Sequence, residues 1–428
     1  MAAELSNVIA GEKVPGRRIF EDINPADGSL VALVHEADRD VVDRAVKAAR
    51  AALDGEWGAL RVSDRVQLMR NIANGIEARF EDFVAAEVAD TGKPGHLARE
   101  LDVSRAAMNF RSFADTMATT GLDAYQTDLA GGAQALNYAI AKPLGVVAVI
   151  VPWNLPLLLL TWKVAPALAA GNAVVVKPSE ETPATATLLA EVIADAGVPA
   201  GAYNVIHGFG GDSAGSYLTE HPDIDGVTFT GESSTGSTIM RAVAPRVRPV
   251  SFELGGKNAA IVFADADFDA TIDGLTRSIF LNTGQVCLCT ERVYIERPIF
   301  DRVAEALVER ARDLAIADPS AQEKSFGPLI SQGHREKVLN YFELAVEEGA
   351  EVLVGGGVPD VAEEFSGGSW IEPTLWKGLD NSCRVVREEI FGPAATPFPY
   401  SISSNNTPKS GWSTPSCFCT AGEVSPIF

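Results

Sequence analysis

Cys287 closes the run Asn282-Thr283-Gly284-Gln285-Val286-Cys287, just after an apolar, helix-like segment. Upstream stands Glu253-Leu254-Gly255-Gly256-Lys257, a carboxylate followed by two glycines. A thiolate can attack an aldehyde to give a tetrahedral thiohemiacetal, whose oxygen is negative and needs donors already in place. Collapse of that oxyanion expels hydride, which calls for a nicotinamide acceptor and leaves a thioester on the sulfur. Hydrolysis then needs a base. Glu253, after Val250-Ser251-Phe252, suits that role if an apolar surrounding raises its pKa. The bland alternative for this carboxylate is an ion pair with Lys257.

Asn154, in Val151-Pro152-Trp153-Asn154-Leu155-Pro156, follows a run that reads as a parallel strand. Open α/β sheets place ligand sites at such strand ends, and a neutral amide there can donate to an oxyanion together with the Cys287 N–H. The same asparagine also suits a Pro-rich turn. For the cofactor, Gly208-Phe209-Gly210-Gly211 and Phe229-Thr230-Gly231-Glu232-Ser233-Ser234-Thr235-Gly236 each put small residues between a strand and a helix, where a diphosphate can approach. Neither has the GxGxxG spacing, and both also fit ordinary turns. Lys177-Pro178-Ser179-Glu180 follows another strand, and its lysine and carboxylate can hold two ribose hydroxyls. Glu180 would repel a 2′-phosphate, favouring NAD over NADP. A solvated surface pair is the alternative.

Cys287-Leu288-Cys289 and Cys417-Phe418-Cys419 lack the spacing of a structural zinc site, so no metal is expected. Cys289 reads as a packing residue. The five histidines are scattered.

The elements that must position these residues follow from hydrophobic period. A chain of 428 residues exceeds the size at which one core stops growing, so at least two compact units are expected. Hydrophobic residues are 46% and charged residues 21%, which is ordinary globular usage. A net charge of -22 repels a phosphate backbone and excludes nucleic acid as a partner. The longest apolar run, Val146 to Leu160, is broken by Pro152, Asn154 and Pro156 and is too short for a membrane span. Met1 to Glu12 has no secretory pattern, and five cysteines make no disulfide framework, so the reading is cytoplasmic.

Helical spacing predicts helices over 40–53 and after Ser63, with Ser63 as a cap. From Leu144 the pattern becomes βαβα: strands at 146–151, 173–176, 203–206 and 226–230, with Thr182 capping a helix that Gly197 follows. This alternation implies an α/β fold with a parallel sheet covered by helices. A second α/β unit starts near Gly256, with strands at 259–263 and 292–296 and helices near 267–280, 298–315 and 332–349. The segment 123–141 reads as a hairpin leaving the main sheet. After Pro393 the periodicity stops, and 401–428, crowded with Ser, Pro, Thr and Gly, reads as poorly ordered.

Taken together, the motifs resemble those of the aldehyde dehydrogenase superfamily: Pro152 to Asn154, Lys177 to Glu180, Phe229 to Gly236, Glu253 to Lys257, Gly284 to Cys287, and Glu388 to Pro393. From about residue 20 to 393 the text looks most like the 2-hydroxymuconic and 2-aminomuconic semialdehyde dehydrogenases. The runs Thr161 to Asn172, Phe209 to Gly215, Cys289 to Phe300 and Gly327 to Ser331 carry that likeness. The resemblance implies an NAD-binding domain over 1–122 and 144–255, an oligomerisation hairpin over 123–143 and an incomplete catalytic domain over 256–397. Residues 398–428 would be a non-family tail. It implies Cys287 as nucleophile, Glu253 as base and Asn154 as oxyanion donor. Cofactor contacts implied are Pro152, Trp153, Lys177, Ser179, Glu180, Gly210, Gly211, Phe229, Thr230, Gly231, Gly236, Leu254, Glu389 and Phe391.

The likeness also implies an unsaturated semialdehyde with a carboxylate at its far end. A buried anion needs a cation, and Arg105, in Asp102-Val103-Ser104-Arg105, is the candidate; a helix surface charge is its alternative. Family members form homodimers or homotetramers, partly through a final strand that has no counterpart after Pro393. The tail from about Pro397 reads as a frameshift, an aberrant splice or a misread end. Two rival readings follow: an inactive remnant that still binds NAD, and a thiol esterase that uses Cys287 and Glu253 without a cofactor.

Overall fold

The computed structural model describes residues 3–318, 321 and 324–401. The expected loose tail, with Cys417 and Cys419, therefore lies outside the described residues beyond Ser401. The chain divides into two compact units. One comprises Met1–Ile23, Leu30–Asp90 and Leu97–Leu254, the other Asn24–Ser29, Thr91–His96 and Gly255–Phe428.

In the first unit, Val146–Ile150 and Ala173–Lys177 are unbroken runs of mostly β-branched residues, buried along their whole length as central parallel strands must be. They belong to a seven-stranded sheet. Its spatial order is Val250–Glu253, Gly226–Thr230, Val146–Ile150, Ala173–Lys177, Tyr203–Val205, Asn7–Ile9 and Glu12–Val14. The first five are parallel; Asn7–Ile9 pairs antiparallel with Tyr203–Val205 on one side and with Glu12–Val14 on the other. Chain order reverses between Val146–Ile150 and Gly226–Thr230, which makes that gap the topological switch point.

Helices cover this sheet because their apolar residues recur on one face. In Arg39–Asp54, capped by Asp38 through the Val41 N–H at 3.0 Å, the buried set is Val41, Val42, Ala45, Val46, Ala49 and Ala52. Two expected caps are not made. Ser63 lies inside Val62–Ala78, which starts after Arg61. Thr182 makes no cap either: Ala184–Asp195 receives Asp90, whose Oδ2 accepts from the Ala184 N–H at 3.0 Å, an acceptor brought from another helix that local sequence does not reveal. The segment 123–141 forms the expected hairpin, Ala124–Asp128 against Gln134–Tyr138, as a two-stranded sheet of its own with Tyr125, Leu136 and Tyr138 exposed.

The second unit holds a five-stranded sheet in the order Asn258–Val262, Thr290–Glu296, Ala394–Tyr400, Thr374–Lys377 and Glu351–Val354, parallel except for the last. The expectation that regular structure ends at Pro393, and the second unit at Pro397, is corrected. Ala394–Tyr400 runs beside Thr290–Glu296 as far as Tyr400. Its ladder with Thr374–Lys377 covers only Ala394 and Ala395, so Pro397 and Pro399 sit where the strand has one neighbour. Proline is tolerated there because no second ladder needs its N–H.

Candidate active site

The helix Phe268–Phe280 ends one residue before a sharp reversal. Asn282 (φ 50°), Thr283 (φ 59°) and Gly284 (φ 72°) are three consecutive left-handed residues. For each of the two non-glycines this costs on the order of 1–2 kcal/mol, so the surroundings must impose it. They do so with named bonds. The Thr283 hydroxyl donates to the Gly327 carbonyl at 2.9 Å. The Gln285 amide donates to the Asn282 and Pro328 carbonyls at 3.1 and 3.3 Å and accepts from the Ile330 N–H at 3.0 Å. Gly284 is required for room as well: an added Cβ would stand 2.1 Å from the Gly392 oxygen.

This turn delivers Cys287 exposed while Cys289 is buried. Burial pushes the Cys289 thiol up to about 12, and it donates to the Leu281 carbonyl at 3.6 Å, so Cys289 packs as expected and is no nucleophile near neutral pH. The carbonyl of Cys287 accepts from Asn258 Nδ2 at 2.5 Å, which anchors the backbone at this exposed thiol.

The strand after the cysteine carries a group that sequence reasoning passed over. Glu291 is buried and pairs with Lys257, so the lysine of the Glu253 to Lys257 run is partnered by Glu291 rather than by Glu253. Burial pushes the Lys257 ammonium down, and Glu291 opposes that shift. Glu291 also accepts from the Ile390 and Phe391 N–H groups. Within the same turn Phe391 is left-handed (φ 60°), and Glu389 accepts from the Gly256 N–H at 3.0 Å. Burial, with Glu291 nearby, holds the Glu389 carboxyl above the usual carboxylate range. The second unit thus brings Cys287, Glu389 and Phe391 onto one framework.

In the first unit, the residues read as a cofactor cradle stand at strand ends. Pro152, Trp153 and Asn154 follow Val146–Ile150, and Phe229, Thr230 and Gly231 end its neighbour across the switch point. Glu253 ends the next strand, where its carbonyl accepts from the Gly231 N–H at 3.0 Å. The apolar enclosure expected around Glu253 is not found, because the residue is exposed. The charge it meets is Lys163, pushed down to about 8 by burial, with Glu253 acting in the opposite sense. Lys163 Nζ donates to Thr228 Oγ1 at 3.0 Å. It too was missed as a site residue; the available signal was a lone lysine in the otherwise apolar helix Pro156–Ala169.

Several observations suit a dinucleotide. The buried Lys177 ammonium donates to the Pro178 and Gly208 carbonyls at 2.8 and 2.7 Å and pairs with Glu180 at 3.4 Å, which joins the Lys177 to Glu180 run to the glycine loop. Ser179 is buried and Glu180 half-buried beside it. A Cβ added at Gly210 or Gly211 would meet nothing within 4 Å, so the protein's own atoms do not demand glycine there and the space is open to a ligand. Thr230 Oγ1 is buried and makes no hydrogen bond among the described residues. The helix Ser233–Val243 has no side-chain cap, leaving its N-terminal N–H groups to an anion. Leu254 packs on Gly236, where a Cβ would come within 2.7 Å of its side chain. Arg105, by contrast, lies at the start of Ser104–Thr119, directly after the π-helical stretch Ala98–Val103. Its Nε is buried and has no hydrogen-bond partner among the described residues.

Residues 12–405 match the model of the aldehyde dehydrogenase family. The chain belongs to that family. It is 60% identical over 394 residues to a 2-aminomuconic 6-semialdehyde dehydrogenase of a Pseudomonas species, covering 92% of this chain and 80% of the relative. It is 58% identical over 376 residues to the 2-hydroxymuconic semialdehyde dehydrogenase of Pseudomonas sp. strain CF600, covering 88% and 77%. Among solved structures, the NAD+ complex of an aldehyde dehydrogenase from Bacillus cereus superposes with a TM-score of 0.88 at 36% identity, covering 94% of this chain and 80% of that one. No helix among the described residues is long and apolar enough to cross a membrane.

Proposed function

We propose that this chain oxidises an unsaturated, carboxylate-bearing semialdehyde of the 2-hydroxymuconic or 2-aminomuconic type to the carboxylic acid, through a thioester on Cys287. The reaction class and the cofactor, aldehyde oxidation with NAD, follow from family membership. Cys287 carries the reading: it is an exposed thiol at the end of a strained, fully braced turn. The substrate class is supported by the identities of 60% and 58% to muconic-type enzymes and by the unpartnered Nε of Arg105, which suits a carboxylate.

In this mechanism the Cys287 thiolate forms the carbon–sulfur bond, and Asn154 with the Cys287 N–H stabilises the oxyanion. Lys177, Ser179, Glu180, Gly210, Gly211, Thr230, Gly231, Glu389 and Phe391 would hold NAD, which when bound would supply the acceptor for the hydride. Glu253 then takes a proton from water, the hydroxide attacks the thioester, and the acid leaves as the thiolate is restored. Lys163, although its pKa is pushed down to about 8, still places a mostly protonated ammonium near Glu253 at neutral pH. The exposed hairpin supplies a surface for self-association into the dimers or tetramers that the resemblance implies.

The test follows NADH absorbance with a muconic-type semialdehyde. Cys287→Ser should abolish the signal, and Glu253→Gln should keep one stoichiometric burst while slowing turnover by at least about a hundredfold. NADH production that survives Cys287→Ser overturns the assignment. Ester cleavage without NAD and without aldehyde oxidation would support the esterase reading instead.

A further inference from the structure

In the second unit one buried carboxylate, Glu291, joins Lys257 to the turn at Ile390 and Phe391. Glu291 stands four residues after Cys287 on the strand Thr290–Glu296 and is buried. Its Oε2 pairs with Lys257, and the Lys257 ammonium also donates to the Val385 carbonyl at 2.9 Å. Both carboxylate oxygens accept from the Ile390 N–H, at 3.1 and 3.2 Å, and Oε1 also accepts from the Phe391 N–H at 3.2 Å. The strand beside it is fixed in turn: Arg292 donates through Nε and Nη2 to the Lys257 carbonyl at 3.1 and 2.5 Å.

The turn these bonds hold is not one the backbone adopts unaided. Phe391 has φ 60°, a left-handed conformation that a bulky aromatic residue rarely takes. Two successive N–H groups converging on one buried carboxylate favour that shape, since the carboxylate takes the place of solvent as their acceptor. From outside, the Gly392 oxygen lies where a Cβ at Gly284 would stand, and a Cβ at Gly392 would come within 2.8 Å of Val338. The turn thus packs against Gly284, while the cysteine loop keeps its own bracing from Gly327, Pro328 and Ile330. Buried ion pairs of this kind are poor contributors to stability, because desolvation offsets most of the attraction. The place of this carboxylate is better explained by what its hydrogen bonds orient.

We propose that Glu291 is the positioning residue that fixes the Glu389–Phe391 turn on the cysteine strand, so that its loss weakens NAD use more than it disables the thiol. The inference rests on reading Glu389 and Phe391 as cofactor contacts. Glu291 itself touches no substrate or cofactor. It acts through the Ile390 and Phe391 N–H groups, and Lys257 acts only by holding the carboxylate in place.

Glu291→Gln keeps the shape and removes the charge. It also strands the Lys257 ammonium, so the paired variant Lys257→Met with Glu291→Gln is made beside it to remove both buried charges together. In both variants the KM for NAD should rise about tenfold or more, the scale of one lost charge-assisted hydrogen bond, while kcat at saturating NAD falls by less than about threefold. Amide hydrogen exchange of the 388–392 segment, measured without cofactor, should quicken by a similar factor. Alkylation of Cys287 without cofactor should stay within about threefold of the parent, because the bracing of its turn by Thr283 and Gln285 is untouched. If the paired variant is folded and shows parental exchange of the 388–392 segment and a parental KM for NAD, the proposal is overturned. If exchange quickens and the parent binds NAD, yet the KM for NAD does not move, the cofactor role is overturned as well. Failure of the parent itself to bind NAD would refute the cofactor reading instead, and the exchange measurement would still decide whether Glu291 holds the turn.

Discussion

Replacing Gly284 by alanine probes the geometry of the cysteine loop without touching the proposed nucleophile. Gly284 has φ 72°, and its added Cβ would lie 2.1 Å from the Gly392 oxygen, 2.3 Å from the Gly392 carbonyl carbon and 2.7 Å from the Pro393 nitrogen. To restore ordinary contact the two backbones must separate by roughly 1–1.5 Å. None of the obstructing atoms belongs to a side chain that can swing away. The left-handed conformation costs an alanine about 1–2 kcal/mol, and the forced separation adds roughly 1–3 kcal/mol. A loss of about 3 kcal/mol in a unit of this size lowers Tm by roughly 6–12 °C. A nucleophile displaced by about 1 Å can lose up to a hundredfold in rate, so kcat should fall much further than the stability loss implies at temperatures where the variant is still folded. The control is Gly274→Ala, in the middle of Phe268–Phe280, where a Cβ meets nothing within 4 Å. That change should stabilise by about 0.5–1 kcal/mol, the helix propensity difference, with parental kcat. The assay pairs thermal unfolding with NADH formation. A Gly284→Ala protein within 2 °C of the parent in Tm (about the smallest shift such a unit resolves per kcal/mol), with kcat within about threefold, would show the reasoning to be wrong.

Two further outcomes follow from charges in the first unit. The Lys163 ammonium is pushed down to about 8, below its usual 10.5, so the folded state holds fewer protons than the unfolded state between those values and stability rises with pH across that window. Lys163→Met should remove this rise, worth on the order of 2–3 kcal/mol, in the difference between parent and variant denaturant curves taken at pH 7 and pH 10; an unchanged difference would contradict the burial argument. Glu180 stands beside the buried Lys177, so Glu180→Gln should cut the preference for NAD over NADP in kcat/KM by about tenfold or more, the effect of removing one like-charge repulsion. A preference that does not change would mean that Glu180 does not face the ribose.

Much of the site's chemistry was legible because it depends on residue type and short spacing. Cys287 after Gly284, Glu253 before Leu254-Gly255-Gly256 and Lys177 before Glu180 each announce themselves within five positions. The βαβα alternation from Leu144 likewise gave the parallel sheet, since Val146–Ile150 and Ala173–Lys177 are buried on both faces and carry no polar alternation. The ends of elements were harder. Thr182 and Ser63 look like caps, yet one helix is capped by Asp90, 94 positions away in the chain, and the other starts without a side-chain cap. Pro397 and Pro399 look like breakers, and only the fold reveals a strand with one neighbour at those positions.

What the sequence displayed by itself, then, was the candidate nucleophile, the candidate base and the kind of cofactor, because those follow from functional groups that local runs display. Tertiary structure alone decided which charges meet. Lys257 turned out to belong to Glu291, Lys163 to Thr228 and the field of Glu253, and the left-handed turn at Asn282–Gly284 to the carbonyls of Gly327 and Pro328. The physical reason is that a buried charge or a strained backbone is fixed by partners 34 to 65 positions away in the chain, and such long-range pairing leaves no periodic trace in composition or spacing.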